Sequence, residues 1–314
     1  MRNFDGKHVF LTGAASGIGR QLAVQLSARG CQLSLIDVNE DGLQSVQKEL
    51  RKAGTNVRIY PCDLSEADSV DSMLDRFCTH NSKLDLLINN AGVAYYGPTD
   101  LMTQQQWDWL MNINLLSPLR ITNRLLPMLL SRPDTHLVNM CSISGLVAGG
   151  RFAGYHTSKY GLIGFTESLR AEFGRHGLGV TAICPGPVLT PLYSSAASPK
   201  PDRPVPTPPA WMSTTPDRVA SVTIRAIERN KRQVLITPVA HALFQLKRFA
   251  PGLIDFANQF SRRKKQRQES LRKAADEADR MESARRESCA EATLPLSPDD
   301  QPVAGKDSSS SRAA

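Results

Sequence analysis

The stretch that most restricts how this chain can fold is Thr12-Gly13-Ala14-Ala15-Ser16-Gly17-Ile18-Gly19. It follows the short apolar run His8-Val9-Phe10-Leu11 and precedes Leu22, Ala23 and Leu26 at helical spacing, a pattern that ends near Gly30. The apolar run reads as a buried strand, and the residues after the glycines read as a helix. A strand, a glycine turn and a helix start together make an anion site. N–H groups at the helix start lack intrahelical partners, and the helix dipole favours negative charge there. The glycines allow tight turning and close approach of a pyrophosphate. The spacing G-x-x-x-G-x-G is not the G-x-G-x-x-G fingerprint, although the physics is the same. A glycine-rich turn that holds no ligand is the alternative.

The pattern then repeats. Leu33-Ser34-Leu35-Ile36-Asp37, Val57-Arg58-Ile59-Tyr60, Leu84-Asp85-Leu86-Leu87-Ile88, Leu137-Val138-Asn139-Met140, Val180-Thr181-Ala182-Ile183 and Val234-Leu235-Ile236 read as strands. Helical segments separate them, so the expected fold class is α/β, a doubly wound parallel sheet of about seven strands. Ligands of such sheets bind beyond the C-terminal strand edge, where Gly13, Asp37, Asp63, Asn89, Ser142 and Pro185 all fall. Asp37 ends the second strand, where a carboxylate can accept from both adenosine ribose hydroxyls and repel a 2′-phosphate. Neither Ser16 nor Val38 supplies a positive charge, which favours NAD over NADP. The competing role for Asp37 is to cap the next helix. Within a helical stretch, Asn112-Ile113-Asn114 brings two side chains able to rewire backbone hydrogen bonds.

Tyr155-His156-Thr157-Ser158-Lys159, with Ser142 thirteen residues earlier, carries the chemistry. Residues four apart share a helix face, so the Lys159 ammonium is expected beside the Tyr155 phenol. A free tyrosine has a pKa of about 10, and a nearby cation favours its phenolate. Ser142 could donate a hydrogen bond to the substrate oxygen that Tyr155 protonates. Taken alone, Tyr-x-x-x-Lys is an ordinary surface pair; its weight comes from the residues that precede it.

From Lys7 to Thr237 the chain resembles the short-chain dehydrogenase/reductase family. The resemblance rests on the Thr12–Gly19 loop, Asp63-Leu64, Asn89-Asn90-Ala91-Gly92, Asn114, Ser142, Tyr155-x-x-x-Lys159 and Pro185-Gly186-Pro187-Val188-Leu189-Thr190. It implies that Tyr155 is the proton donor or base, that Ser142 polarises the substrate oxygen, and that Lys159 binds the nicotinamide ribose and tunes Tyr155. Asn114 would support a water-linked proton relay. Gly13, Ser16, Gly17, Ile18, Gly19, Asp37, Asp63, Leu64, Asn89, Ala91, Gly92, Pro185, Gly186, Val188 and Thr190 would join Tyr155 and Lys159 around the cofactor. Asp63 would meet adenine, and Thr190 the carboxamide. The implied activity is hydride transfer between NAD and a secondary alcohol or ketone. An NADPH-dependent carbonyl reductase and a non-catalytic dinucleotide sensor are the alternatives. A homodimer or homotetramer is implied by analogy.

Composition bounds the rest. Six scattered cysteines form no short disulfide framework, which suits a reducing compartment. With no apolar run of membrane-spanning length and no room for a signal peptide before the first strand, a cytoplasmic location is expected. Six histidines show no metal-ligand spacing, so no metal is expected. The catalytic domain is read as 1–238, with a Pro-, Ser- and Thr-rich substrate lid at about 191–216. Tyr193, Trp211 and Met212 are expected to line the lid and favour a lipophilic substrate. Residues 239–268 read as an amphipathic, basic helical extension, ending in the block Arg262, Arg263, Lys264, Lys265 and Arg267. It could pack on the core or on a partner subunit, or make peripheral membrane contact. Nucleic acid is not expected, because no aromatic interleaving or binding module accompanies the charges. Residues 269–314 are polar and expected to be mostly disordered.

Overall fold

The structure is a computed structural model and describes residues 1, 3–199 and 205–260, with 277, 280 and 281 beyond them. The basic block at 262–267 and the tail read as disordered lie outside the described residues, apart from those three. Met1–Asn258 forms one compact unit, and Gln259–Ala314 is a second.

Seven parallel strands build the first unit: β1 (His8–Thr12), β2 (Gln32–Asp37), β3 (Val57–Pro61), β4 (Leu86–Asn89), β5 (Thr135–Met140), β6 (Leu178–Pro185) and β7 (Gln233–Ile236). Their spatial order is β3-β2-β1-β4-β5-β6-β7. The order reverses between β1 and β4, leaving a crevice at the C-terminal edge. Every ladder is parallel, and the inner strands are covered on both faces, whereas edge strand β3 leaves Arg58 exposed. Alternation still sorts the faces. Val9, Leu11 and Val138 join one core with α1 (Gly17–Ser27), α2 (Glu40–Lys52) and α7 (Pro216–Glu228). Phe10 and Leu137 join the other, with α3 (Ala67–His80), α5 (Ser117–Leu130) and α6 (Ala153–Phe173). The fourth strand starts two residues later than its apolar pattern suggests. Buried Asp85 accepts from the His8 backbone N–H (2.9 Å) and the Lys7 ammonium (3.3 Å), which tie it to the start of β1.

Between α4 (Gln104–Met111) and α5 the backbone widens into one π-helical turn, Asn112–Leu116. The two asparagines explain it. Asn112 donates to the Ser65 carbonyl (2.9 Å), while Asn114 is drawn to the Val93 backbone. Such inserted turns are common where a helix serves a site.

His136 on β5 is fully buried, with Nε2 2.8 Å from Thr181 Oγ1 and Nδ1 without a partner among the described residues. Burial, helped by the chain's positive N-terminus, pushes its pKa down to about 3. Burial also lowers that of His8. An unfolded imidazole takes up a proton near pH 6.5, whereas the folded one stays neutral. The stability this confers is fully present above that pH and is lost as pH falls toward 3, amounting to about 5 kcal/mol for His136. Urea unfolding at pH 7 and pH 4.5 should therefore show a loss of about 3 kcal/mol attributable to His136. His136→Asn should shrink that loss, and an unchanged pH dependence in the variant would contradict the assignment.

Candidate active site

The glycine turn is held by its neighbours across the crevice. Thr12 Oγ1, at the end of β1, accepts from the N–H groups of Asn90 (2.9 Å) and Ala91 (3.0 Å). Asn90 in turn donates through Nδ2 to the carbonyls of Thr12 (2.9 Å) and Gly13 (3.2 Å). Asp37 accepts from the Ala15 N–H and from the Asn39 N–H, both at 3.0 Å. The cap of α2 is Asn39, which accepts from Gly42 N–H, so Asp37 is released from that competing role. A carboxylate has lone pairs beyond these two bonds for a hydroxyl donor.

On the other side, α6 carries Tyr155 and Lys159. Gly145 lets the turn after Ser142 lie against that helix: a Cβ there would come within 2.6 Å of the Lys159 carbonyl oxygen. Buried Ser142 stands near enough to the Tyr155 phenol to favour its charged form. The Lys159 ammonium is buried, donates to the Met140 carbonyl (2.9 Å) and lies 5.7 Å from the Tyr155 ring centroid. Among the described residues no carboxylate pairs with it, and burial lowers its pKa. Asn114, fully buried, accepts from Val93 N–H (2.8 Å) and donates to the Val93 carbonyl (2.8 Å) and to Ser158 Oγ (3.2 Å).

The Tyr155 phenol departs from the expected direction. Burial pushes its pKa above the ordinary tyrosine value, neighbouring Ser142 pulls it back in part, and Tyr193 and Cys141 add to the rise. The sequence predicts the opposite, from the Lys159 charge alone; desolvation is a tertiary effect that helix spacing does not reveal.

Both halves open into one cleft of about 280 Å³. Gly13, Ser16, Gly17 and Ile18 line it from the glycine turn, and Asp37, Asp63 and Leu64 from the ends of β2 and β3. Ala91 and Gly92 follow β4, with Thr190, Tyr155 and Lys159 completing the predicted set. Seven predicted cofactor or catalytic residues stand outside the lining. Asn89 is buried in the sheet, donating to Thr122 Oγ1 (3.1 Å) and Asn139 Oδ1 (2.9 Å), and its neighbour Asn90 takes the place at the cleft. Gly19 packs on the Gly13 carbonyl, and Pro185 pairs with Ile236. Gly186 N–H donates to the Ile236 carbonyl (2.9 Å), while Val188 bridges to Thr214. Asn114 orders the Val93 backbone. Ser142 also lies outside the lining and meets the site as a neighbour of the Tyr155 phenol.

Sequence reasoning missed Val38, Asn90, Ile113, Met140, Leu192 and Ser195 as lining residues. Asn90 and Val38 adjoin predicted positions, whereas Leu192 and Ser195 are brought in by the course of the chain after Thr190, which has no local signal. That segment is pinned, since Ala197 N–H donates to the Ala94 carbonyl and Tyr96 N–H to the Ala197 carbonyl, both at 2.9 Å. Tyr193, Trp211 and Met212 do not line the cleft, contrary to expectation, and Trp211 is 80% exposed. His156 was also overlooked. Its Nδ1 lies 2.8 Å from the Ser144 carbonyl, and its Nε2 accepts from Gly149 N–H (2.9 Å). Together the two bonds select the neutral Nδ1–H tautomer and fasten the loop after Ser142 to α6. No cluster of metal-ligating side chains occurs among the described residues.

Residues 7–200 match the family model described as short chain dehydrogenase, well over half of the chain. The chain belongs to the short-chain dehydrogenase family. A dehydrogenase/reductase of CLA biosynthesis from Lactiplantibacillus plantarum is 29% identical over 78% of this chain and 93% of its own. A D-threitol dehydrogenase from Mycolicibacterium smegmatis is 33% identical over 61% of this chain and 74% of its own. Among solved structures, a short-chain dehydrogenase/reductase from Burkholderia phymatum in complex with NAD superposes with TM-score 0.72 at 27% identity, covering 81% of this chain and 96% of that one. As a member of that family this chain is an oxidoreductase, and its Rossmann-like parallel sheet is the one the alternation of elements predicts.

Proposed function

We propose that residues 1–238 form the catalytic domain of an alcohol dehydrogenase or ketone reductase that prefers NAD and acts on a lipophilic secondary alcohol or carbonyl compound. One observation carries the reading: Tyr155, beside Ser142 and one helical turn from buried Lys159, faces the same cleft as the glycine turn and Asp37. The residues fit a nicotinamide dinucleotide. Gly17 has φ +53° and faces Thr190, with 3.4 Å between its missing Cβ and Thr190 Cγ2, and the α1 N-terminus offers N–H groups for phosphates. At the far end Asp37 suits ribose hydroxyls, while Lys159 offers an ammonium for a hydroxyl-bearing ring. When bound, the dinucleotide supplies the two-electron hydride exchange. The chain's own part is to hold the substrate oxygen between Ser142 and Tyr155, and to give or take its proton at the Tyr155 phenol. A phenol held above its ordinary pKa is protonated at neutral pH, the form that donates to a developing alkoxide. Asn114, through Val93 and Ser158, keeps the wall behind Lys159 in place. Phe152, with ring centroids 6.3 Å from Tyr155 and 5.0 Å from Tyr96, and half-buried Tyr193 give the substrate side an apolar character.

The test is an absorbance assay of both cofactors against secondary alcohols and ketones of increasing chain length. Turnover that rises with chain length supports the proposal. Tight NAD(H) binding without turnover across the panel would mean a dinucleotide sensor instead. Asp37→Ala should weaken NAD binding by about 10–100-fold, the worth of one or two charge-assisted hydrogen bonds, and reduce discrimination against NADP. Equal affinity of the parent for NAD and NADP would refute the stated preference.

A further inference from the structure

The helices that follow β7, α8 (Pro238–Phe249) and α9 (Pro251–Phe260), expose a stripe of apolar side chains. At about 100° per residue, Ala240, Phe244 and Lys247 share the side of α8 turned to the core; Ala240 is fully buried and the other two half-buried. Val239, Ala242, Leu243, Leu246 and Phe249 fall in an adjacent arc of roughly 120°. His241, Gln245 and Arg248 occupy the polar remainder. Leu243 and Leu246 are each more than a third exposed, Phe249 is 77% exposed and Leu253 of α9 is 59% exposed. Single exposed apolar residues are ordinary, but an exposed apolar arc on α8 with further exposed apolar side chains on the helix that follows marks a contact surface.

Charge identifies the partner. Residues 239–268 hold seven basic side chains and one acid, Asp255, so this short segment accounts for most of the chain's net charge of +8. Five of the seven follow α9 directly in the sequence, at 262–267. A second copy would set two such segments against each other and repel, whereas an anionic surface attracts both. Neither helix is long and apolar enough to cross a bilayer. The pattern is that of a helix lying in a lipid interface, with apolar side chains at the acyl boundary and cations at the headgroups.

We infer that α8 and α9 dock this enzyme on an anionic lipid surface. Lys247 gives the docking a direction. Its ammonium donates to the Leu146 carbonyl (2.6 Å) and to the Tyr160 hydroxyl, and lies 4.8 Å from the Tyr160 ring centroid. Leu146 follows the turn that Ser142 opens, and Tyr160 follows Lys159. The helix that meets lipid is thereby fastened to both arms of the site, bringing the bilayer to the side from which a lipophilic substrate would come.

The test is co-sedimentation of the full chain with vesicles of phosphatidylcholine alone and of phosphatidylcholine mixed with phosphatidylglycerol. Binding to the anionic vesicles should exceed binding to the neutral ones by about tenfold or more and weaken in high salt. A Phe249→Glu, Leu253→Glu double variant should lose about tenfold of that binding with an unchanged melting temperature. Equal binding to the two vesicle types would overturn the inference, as would no binding at all or an unaffected double variant. A variant whose molar mass in light scattering halves while vesicle binding persists would assign the stripe to a second copy and would likewise overturn it.

Discussion

Tyr155→Phe is expected to lower turnover by about 10²–10⁴-fold while leaving dinucleotide affinity within about twofold. The substitution removes only the hydroxyl that neighbours Ser142, on a side chain whose ring stays in place beside Phe152. The ammonium of Lys159 is held by the Met140 carbonyl, so the cofactor side of the cleft keeps its shape. A cofactor-linked rate with fluorescence titration of the reduced dinucleotide separates the two quantities. Turnover within tenfold of the parent would remove Tyr155 from the mechanism; a matching loss of affinity would make its role structural. The raised pKa adds a directional check. Because the phenol stays protonated through neutral pH, carbonyl reduction should hold its rate there. Alcohol oxidation, which needs the deprotonated form, should climb as pH rises.

The second large effect is expected from Gly19→Ala. A Cβ at Gly19 would sit 1.9 Å from the Gly13 carbonyl oxygen and 2.7 Å from Asn90 Nδ2. The first of these is backbone and cannot swing aside. The Gly13 carbonyl is also held by Asn90 (3.2 Å), so relief would move the turn and the loop after β4 together. A stability loss of about 1–3 kcal/mol is expected from the overpacking. Dinucleotide affinity should fall at least about 100-fold, since the phosphates would depend on the displaced N–H groups. Gly164→Ala on α6 is the matched control. Nothing lies within 4 Å of its Cβ position, and a mid-helix glycine costs about 0.5–1 kcal/mol relative to alanine. The control should therefore hold or gain stability. Gly19→Ala binding NAD as the parent does would show that the turn yields, and that its glycines are not required for the cleft.

Several parts of the site were legible in the chain because they are local. The strand, turn and helix from His8 to Ser27 follow one another without interruption, so burial period and glycine placement fix their geometry. The Tyr155 and Lys159 pair follows from helical spacing, and Asn112 and Asn114 mark an interruption of the helical pattern, whose form as a π turn only the structure gives. Asn89 and Asn90 show where locality stops. Both follow the same apolar run, and only the position of Asn139 on β5 and Thr12 on β1 decides which one turns inward. Trp211 shows the same in the stretch after β6, where an aromatic residue among prolines gives no sign of which way the loop presents it.

The order of residues alone thus determined the alternation of strands and helices, the anion-ready turn and the one-turn spacing of phenol and ammonium. Each depends on the backbone period of a single segment. The tertiary structure decided which side chains border the cleft, how Asp37, Asn39 and Asn90 divide their bonds, and that the Tyr155 proton is held rather than loosened. These are properties of burial and of neighbours brought from distant strands, and desolvation acts only once those strands have met.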